Sequence, residues 1–276
     1  MNKSIFHPGA DLAGKNLEGI NLKGVNLTGA NLSGANLKGA NLEKANLKGA
    51  NLQNVNLEEA KLKSTILKNA NLTEANLKSA NLSKADLTKA ILIGVSGLQS
   101  ANLEKADLRG ANLEGLNLKK INFKGITLIG ANLLNCNLKR TDLTGVRLER
   151  ADLTKANLEE AILTEANLNK AILVKVNLKK ANLTKAKMIE ANLEDAILNG
   201  AILEEAILKN AILRRTRFIK ANLTKVNLEK TKLEKLKLKN ANLKQANLYR
   251  VNLLEVDLRE ANLEGADLRE SNIFDT

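Results

Sequence analysis

The chain has 276 residues, and 44% of them are hydrophobic, yet it contains only four Phe, one Tyr and no Trp. Its formal net charge is +13, from 43 Lys plus Arg against 30 Asp plus Glu. One His and one Cys exclude a His/Cys metal cluster and a disulfide framework. No segment approaches the 18 apolar residues of a membrane-spanning helix, and the core must be aliphatic.

Residues 1–9 differ from everything that follows, because they lack the five-residue spacing described below. They contain the apolar residues Ile5 and Phe6 and the only proline, Pro8. The first coil of a repeat array exposes an unpaired edge that needs cover. We therefore expect residues 1–9 to form an N-terminal cap segment and residues 10–276 to form a single repeat domain.

From residue 10 onwards, leucine recurs every five residues in units such as 30–34 and 35–39. Each unit has a small apolar residue, then Asn or Asp, then Leu, then two variable residues. Five residues advance an α-helix by about 140°, which scatters the leucines, and an odd period places them alternately on both faces of a strand. The leucines share one interior only if the chain turns once per unit and coils around them.

The spacing slips by one residue at 95–100, where a unit contains six residues. Gly94 and Gly97 are close to the extra residue and favour a tight turn. We expect a bulge that is absorbed at a corner of the coil. The alternative is a bend, or a bump that faces a partner.

Later departures from the pattern lie inside or around the coil. Cys136 occupies a small inward position, which indicates a buried, inert thiol. Isoleucine replaces Asn in four consecutive units, and the residues are Ile197, Ile202, Ile207 and Ile212. Such a belt is either an apolar surface for a partner or a consequence of local sheet propensity.

After residue 101, assigning units to four sides in turn gives one side the largest excess of basic residues. Its candidate binding residues are Lys119, Lys120, Lys139, Arg140, Lys179, Lys180, Arg217, Lys220, Lys237 and Lys239. A basic stripe of this kind could engage nucleic acid or an anionic membrane surface. Glu159 and Glu160 interrupt it, which favours an ordinary solvated face instead.

The repeat is still present at the C-terminal end of the sequence, at 271–276. An uncovered last coil would expose strand edges and apolar side chains. Leu254, Ile273 and Phe274 are therefore candidate contacts of an end-to-end homodimer.

These units resemble the pentapeptide-repeat family, whose pattern is A(D/N)LXX, and the resemblance covers residues 10–275. It implies an all-β fold, a right-handed quadrilateral parallel β-helix with four units per coil. About 13 coils would then fit in the chain, at about 4.8 Å per coil. Dimeric members of the family also support the expected homodimer.

The sequence gives little support to catalysis. We identify no catalytic, cofactor-binding or metal-binding residues, and acid pairs such as Glu58-Glu59 fall on outward positions where solvated charge is typical. We expect a non-enzymatic, cytoplasmic scaffold whose partner is another protein. The alternatives are a basic-face binder of nucleic acid or anionic membrane, and a DNA mimic that modulates DNA gyrase. The family resemblance suggests the mimic, but positive net charge disfavours it.

Overall fold

The structure is a computed structural model that describes residues 3–272. The chain divides into two compact units, Met1–Asn132 and Leu133–Thr276, which are described separately. Within residues 3–272 there is no α-helix, and the helical elements are two 3-10 turns at Lys3–Ile5 and Leu98–Ser100. A single domain over 10–276 stays a prediction.

Both units consist of parallel β-bridges between residues 20 positions apart. In the first unit Asp11 pairs with Asn31 and Asn31 with Asn51, and in the second Asn137 pairs with Asn157. These residues occupy the Asn/Asp position of the repeat, so a shift of 20 residues corresponds to four units and one coil. No strand is longer than an isolated bridge in the part of the chain described. The expected all-β, parallel β-helical fold is confirmed.

The repeat satisfies every main-chain N–H of a unit, as residues 31–35 illustrate. Asn31, Leu32 and Gly34 donate to carbonyl oxygens of the neighbouring coils at 2.7–2.9 Å. Ala35 N–H donates to the Leu32 carbonyl across a turn at 3.1 Å. The remaining donor, Ser33 N–H, bonds to Asn31 Oδ1 at 3.2 Å. Asn and Asp recur because their side-chain oxygen accepts the one N–H of the unit that does not meet a main-chain carbonyl.

Each unit ends in a turn whose third residue has a positive φ, as in a type II turn. Glycine supplies this conformation at Gly29, where φ is 65°, whereas Lys44 adopts it at 57°. A non-glycine residue in the left-handed region costs about 1–2 kcal/mol, which the stacked coils must offset. Lysine is a frequent occupant, so these turns direct many positive charges outward.

The core contains the central leucines and the small residues two positions before them. Leu32 and Leu183 are fully buried, as are Phe218 and most of the alanines. Threonine sometimes replaces the small residue, and its hydroxyl must then find a main-chain acceptor. Thr216 Oγ1 donates to the Leu193 carbonyl at 2.8 Å, whereas Thr141 Oγ1 has no hydrogen-bond partner.

Substituting valine at these two threonines is expected to change stability in opposite directions. Thr141→Val removes an unsatisfied buried hydroxyl and should stabilise the second unit by about 1 kcal/mol. Thr216→Val removes a satisfied hydroxyl, leaves the Leu193 carbonyl with one acceptor site unused, and should cost about 1–2 kcal/mol. Urea denaturation of both variants measures the signs. A loss of stability in Thr141→Val would contradict this account of the core.

The additional residue of the slip is absorbed by the 3-10 turn Leu98–Ser100, preceded by Gly97 at a φ of 73°. Before it, Asn76 pairs with Ser96 at the usual spacing. Just after it, Asn81 pairs with Asn102, which is 21 residues away. Ser100 Oγ accepts from Ser79 N–H at 2.9 Å. The hydroxyl thus supplies the acceptor that a regular unit takes from the main chain.

The first and last described coils differ in how well their leucines are covered. Leu12 and Leu17 are 1% exposed, and the preceding Ile5 and Phe6 are half-buried. An N-terminal cap formed by residues 1–9 stays a prediction. The leucines of the last described coil, among them Leu263, are only half-buried.

Candidate functional site

The outward side chains of each unit form columns, because residues 20 positions apart lie on neighbouring coils. A column contains the Asn/Asp position and the two variable positions of successive coils. Side chains within a column therefore stand about 4.8 Å from the next coil, close enough for long side chains to pair. Charge on a column depends on these vertical neighbours as well as on composition.

Part of the predicted basic side is neutralised by such pairs in the second unit. Lys139 Nζ lies 2.9 Å from Glu159 Oε2, and Arg140 Nε lies 2.6 Å from Glu160 Oε2. The hydrogen bond from Arg140 holds the pKa of the Glu160 carboxyl below its usual value. Glu159 and Glu160 therefore remove two cations from the predicted stripe.

The remaining basic residues of this side differ in their surroundings. Lys239 pairs with Glu260 at 3.6 Å. The column also carries five exposed cations between the Lys139–Glu159 pair and the Lys239–Glu260 pair, namely Lys179, Lys180, Arg217, Lys220 and Lys237. None of these five forms an ion pair within residues 3–272. Lys119 and Lys120 belong to the first unit.

Sequence reasoning missed a further group of cations in the first unit, on two adjacent columns. The columns follow the bridges Asn41–Lys61–Asn81 and Asn46–Ile66–Asp86. We define the lysine cluster by its exposed members, which are Lys44, Lys48, Lys61, Lys63, Lys68, Lys84 and Lys89. The 20-residue spacing before the slip carries the signal, because it places these lysines on successive coils.

Acidic groups beside the lysine cluster are Glu43, Asp86 and the exposed Glu59. Glu43 lies 3.6 Å from Lys23 Nζ, and Asp86 Oδ1 accepts the Thr88 N–H at 2.9 Å. None of the cluster lysines has a carboxylate oxygen within 4.0 Å among the described residues. Ile66 lies between the lysines and is 39% exposed.

A second polar group lies near the end of the second unit. Tyr249 Oη donates to Glu270 at 2.7 Å, which raises the pKa of the phenol, and Arg250 Nε donates to the same carboxylate at 2.6 Å. The Arg250 guanidinium also stands 5.0 Å from the centre of the Tyr249 ring. These groups satisfy one another on an exposed surface, and the arrangement links two coils.

The remaining candidate residues from the sequence differ in their burial. Cys136 is fully buried, and Leu254 is half-buried, while Ile273 and Phe274 lie outside the described residues. Of the isoleucine belt, only Ile202 is exposed to 40%, and its other members are half-buried. Residues 3–272 contain no cluster of three or more His, Cys, Asp or Glu that could hold a metal ion. They also contain no helix that is long and apolar enough to cross a membrane.

Comparison with protein families gives matches along most of the chain. A family model described as pentapeptide repeats matches in several overlapping copies, at 9–39, 26–63, 37–78, 56–94, 98–125, 121–159 and 161–200. A model described as a pentapeptide repeat region matches residues 191–268. No curated protein matches the chain.

Several solved structures are similar. HetL, a pentapeptide repeat protein involved in heterocyst differentiation regulation from the cyanobacterium Nostoc sp. strain PCC 7120, is 27% identical, with 93% of this chain and 90% of HetL covered and a TM-score of 0.25. Rfr23 from the cyanobacterium Cyanothece 51142 is 34% identical over 44% of this chain and 85% of its own, with a TM-score of 0.26. QnrB1, a plasmid-mediated fluoroquinolone resistance protein, is 17% identical over 93% and 91%, with a TM-score of 0.27.

Proposed function

This chain belongs to the pentapeptide-repeat family, and on this premise we propose that it is a non-enzymatic scaffold that presents ordered side-chain columns to another protein. The observation that carries the proposal is the regular register of coils in each unit. The backbone of such a surface is already ordered by main-chain hydrogen bonds between coils, so a partner binds without a large loss of chain entropy.

The proposal includes a finer architecture. We propose a right-handed quadrilateral β-helix of about 13 coils that acts in the cytoplasm. Four units per coil is supported by the 20-residue register within each unit. Flat columns on four sides give a partner several chemically distinct surfaces.

A photo-crosslinking residue placed singly on each of the four sides tests the scaffold function in the native cell. Within one coil of the second unit the positions are Val174, Lys179, Thr184 and Ile189, and in the first unit they are Gln53, Glu58, Lys63 and Lys68. We expect a defined protein to crosslink from one side or two neighbouring sides. Equal crosslinking from all sides, or none from any position in either unit, would contradict the proposal.

We also propose that two copies associate end to end through their C-terminal coils. The half-burial of Leu263 and its neighbours in the last described coil supports this contact, because leucines in the interior of the array are fully buried. Sedimentation equilibrium at tens of micromolar should give the mass of a dimer, and a monomer would remove this part of the proposal. The gyrase-directed alternative gains no support, since a DNA mimic needs an acidic surface and the net charge of this chain is +13.

A further inference from the structure

We propose that the lysine cluster of the first unit is a docking surface for an anionic phospholipid bilayer. This surface was not among the candidate sites that the sequence indicated, and its use by a bilayer goes beyond the proposed protein scaffold. Three features of the structure carry the proposal, namely the density of the charges, their lack of acidic partners, and the exposed apolar residue among them.

The cluster concentrates its charge on three successive coils. Lys61, Lys63 and Lys68 lie on the middle coil, and the other members lie on the coils directly before and after it. At about 4.8 Å per coil, the cluster extends about 10 Å along the stack. That length is comparable to the Debye length of about 8 Å at physiological salt, so the potentials of neighbouring lysines add. Groups of four to eight basic residues are typical of surfaces that bind acidic lipids.

None of the cluster lysines forms an ion pair within the described residues, so all of them can face a negative surface. Glu43 is held by Lys23, and Asp86 accepts a main-chain N–H. The predicted basic side of the second unit is different, since Glu159 and Glu160 pair with two of its cations. The lysine cluster contains no such pair within the described residues.

The composition of the cluster favours a bilayer over a nucleic acid. It contains lysine and no arginine, so it lacks the planar fork that grips individual phosphates in two places. It also contains no aromatic residue on which a base could stack. Ile66 is 39% exposed between the lysines. A phosphate backbone has no apolar surface for this side chain to contact, whereas the acyl boundary of a bilayer is an apolar environment.

Flotation of the full chain with lipid vesicles tests the proposal, using pure phosphatidylcholine and phosphatidylcholine mixed with phosphatidylserine. We expect salt-sensitive binding to the mixed vesicles alone. In Lys44→Gln/Lys63→Gln/Lys68→Gln/Lys84→Gln the partition coefficient should fall by at least about 100-fold, since each lysine near the surface contributes about fivefold.

A matched control removes the same charge from the second unit, in Lys179→Gln/Lys180→Gln/Lys220→Gln/Lys237→Gln. It should lower binding less than about tenfold, through net charge alone. Equal losses in the two variants would overturn the assignment to the cluster. Circular dichroism of both variants should match the unsubstituted chain, because all substituted lysines are exposed.

Ile66→Asn separates a bilayer from a nucleic acid. Asparagine is the usual residue of this position, as at the neighbouring Asn46, so the coil should fold normally. We expect vesicle binding to fall about threefold, in proportion to the apolar area lost. Retention on duplex DNA without binding to mixed vesicles, or no binding to mixed vesicles even at low salt, would overturn the proposal.

Discussion

Replacing Gly97 with alanine is expected to destabilise the first unit by about 3–5 kcal/mol. An added Cβ would lie 2.4 Å from Lys78 N and 2.5 Å from Lys78 Cα, so it would collide with the backbone of the coil below. Backbone atoms in the stack cannot move aside without breaking ladder hydrogen bonds. The φ of 73° adds the cost of the left-handed conformation. Urea denaturation, with hydrogen exchange to locate the change, measures the effect.

Gly29→Ala is the control, because it has a similar φ of 65° but no atom within 4 Å of the added Cβ. It carries only the backbone cost, which is about 1 kcal/mol. If the two variants lost equal stability, Gly97 would not lie close to the backbone of Lys78 in solution. The comparison thus tests how the additional residue at 95–100 is accommodated.

Truncating a central leucine in the interior of the second unit is expected to cost about 3–4 kcal/mol. Leu183 is fully buried, and its loss leaves a cavity between coils that the ladder prevents from closing. Because coils are stable only through their neighbours, the cavity weakens the coils on both sides as well. Thermal and urea denaturation of Leu183→Ala measure the loss.

Leu263→Ala is the same chemical change in the last described coil, where the leucine is half-buried. The expected cost is about 1 kcal/mol, because folding removes less of the apolar surface of Leu263 from water than of Leu183. Equal costs at the two positions would mean that the last coil is covered in solution, as it would be in the proposed dimer. Repeating the measurement over a range of protein concentrations distinguishes that case.

The period of five was enough to predict the inside and outside of the coil. Leu32 and Ala35 are buried as expected, because only a turn in every unit places both on one interior. The period alone does not specify how many turns close a coil, and this number came from resemblance to a family. The Asn31 Oδ1 contact also needed coordinates, since it depends on which donors the neighbouring coils leave unused.

The candidate site was less predictable, because charge on a column depends on residues 20 positions away. The sequence placed Glu159 and Glu160 on the same side as Lys139 and Arg140, but only the structure gives the direct pairs between these residues on neighbouring coils. The lysine cluster draws its members from three successive coils, so most of its lysines are far apart in the sequence. Its identification required the 20-residue register before residue 95.

The 20-residue register is the central claim, since every column and cluster depends on it. Paired nitroxide labels in the first unit test it directly, in a Cys136→Ala background that supplies the alanine usual at that position. Continuous-wave electron paramagnetic resonance should show strong dipolar broadening for labels at Ser33 and Gln53, which are one coil apart. Labels at Gln53 and Lys63, on opposite sides of the coil, should show clearly less. Stronger broadening in the second pair, or none in the first, would contradict the register and the surfaces derived from it.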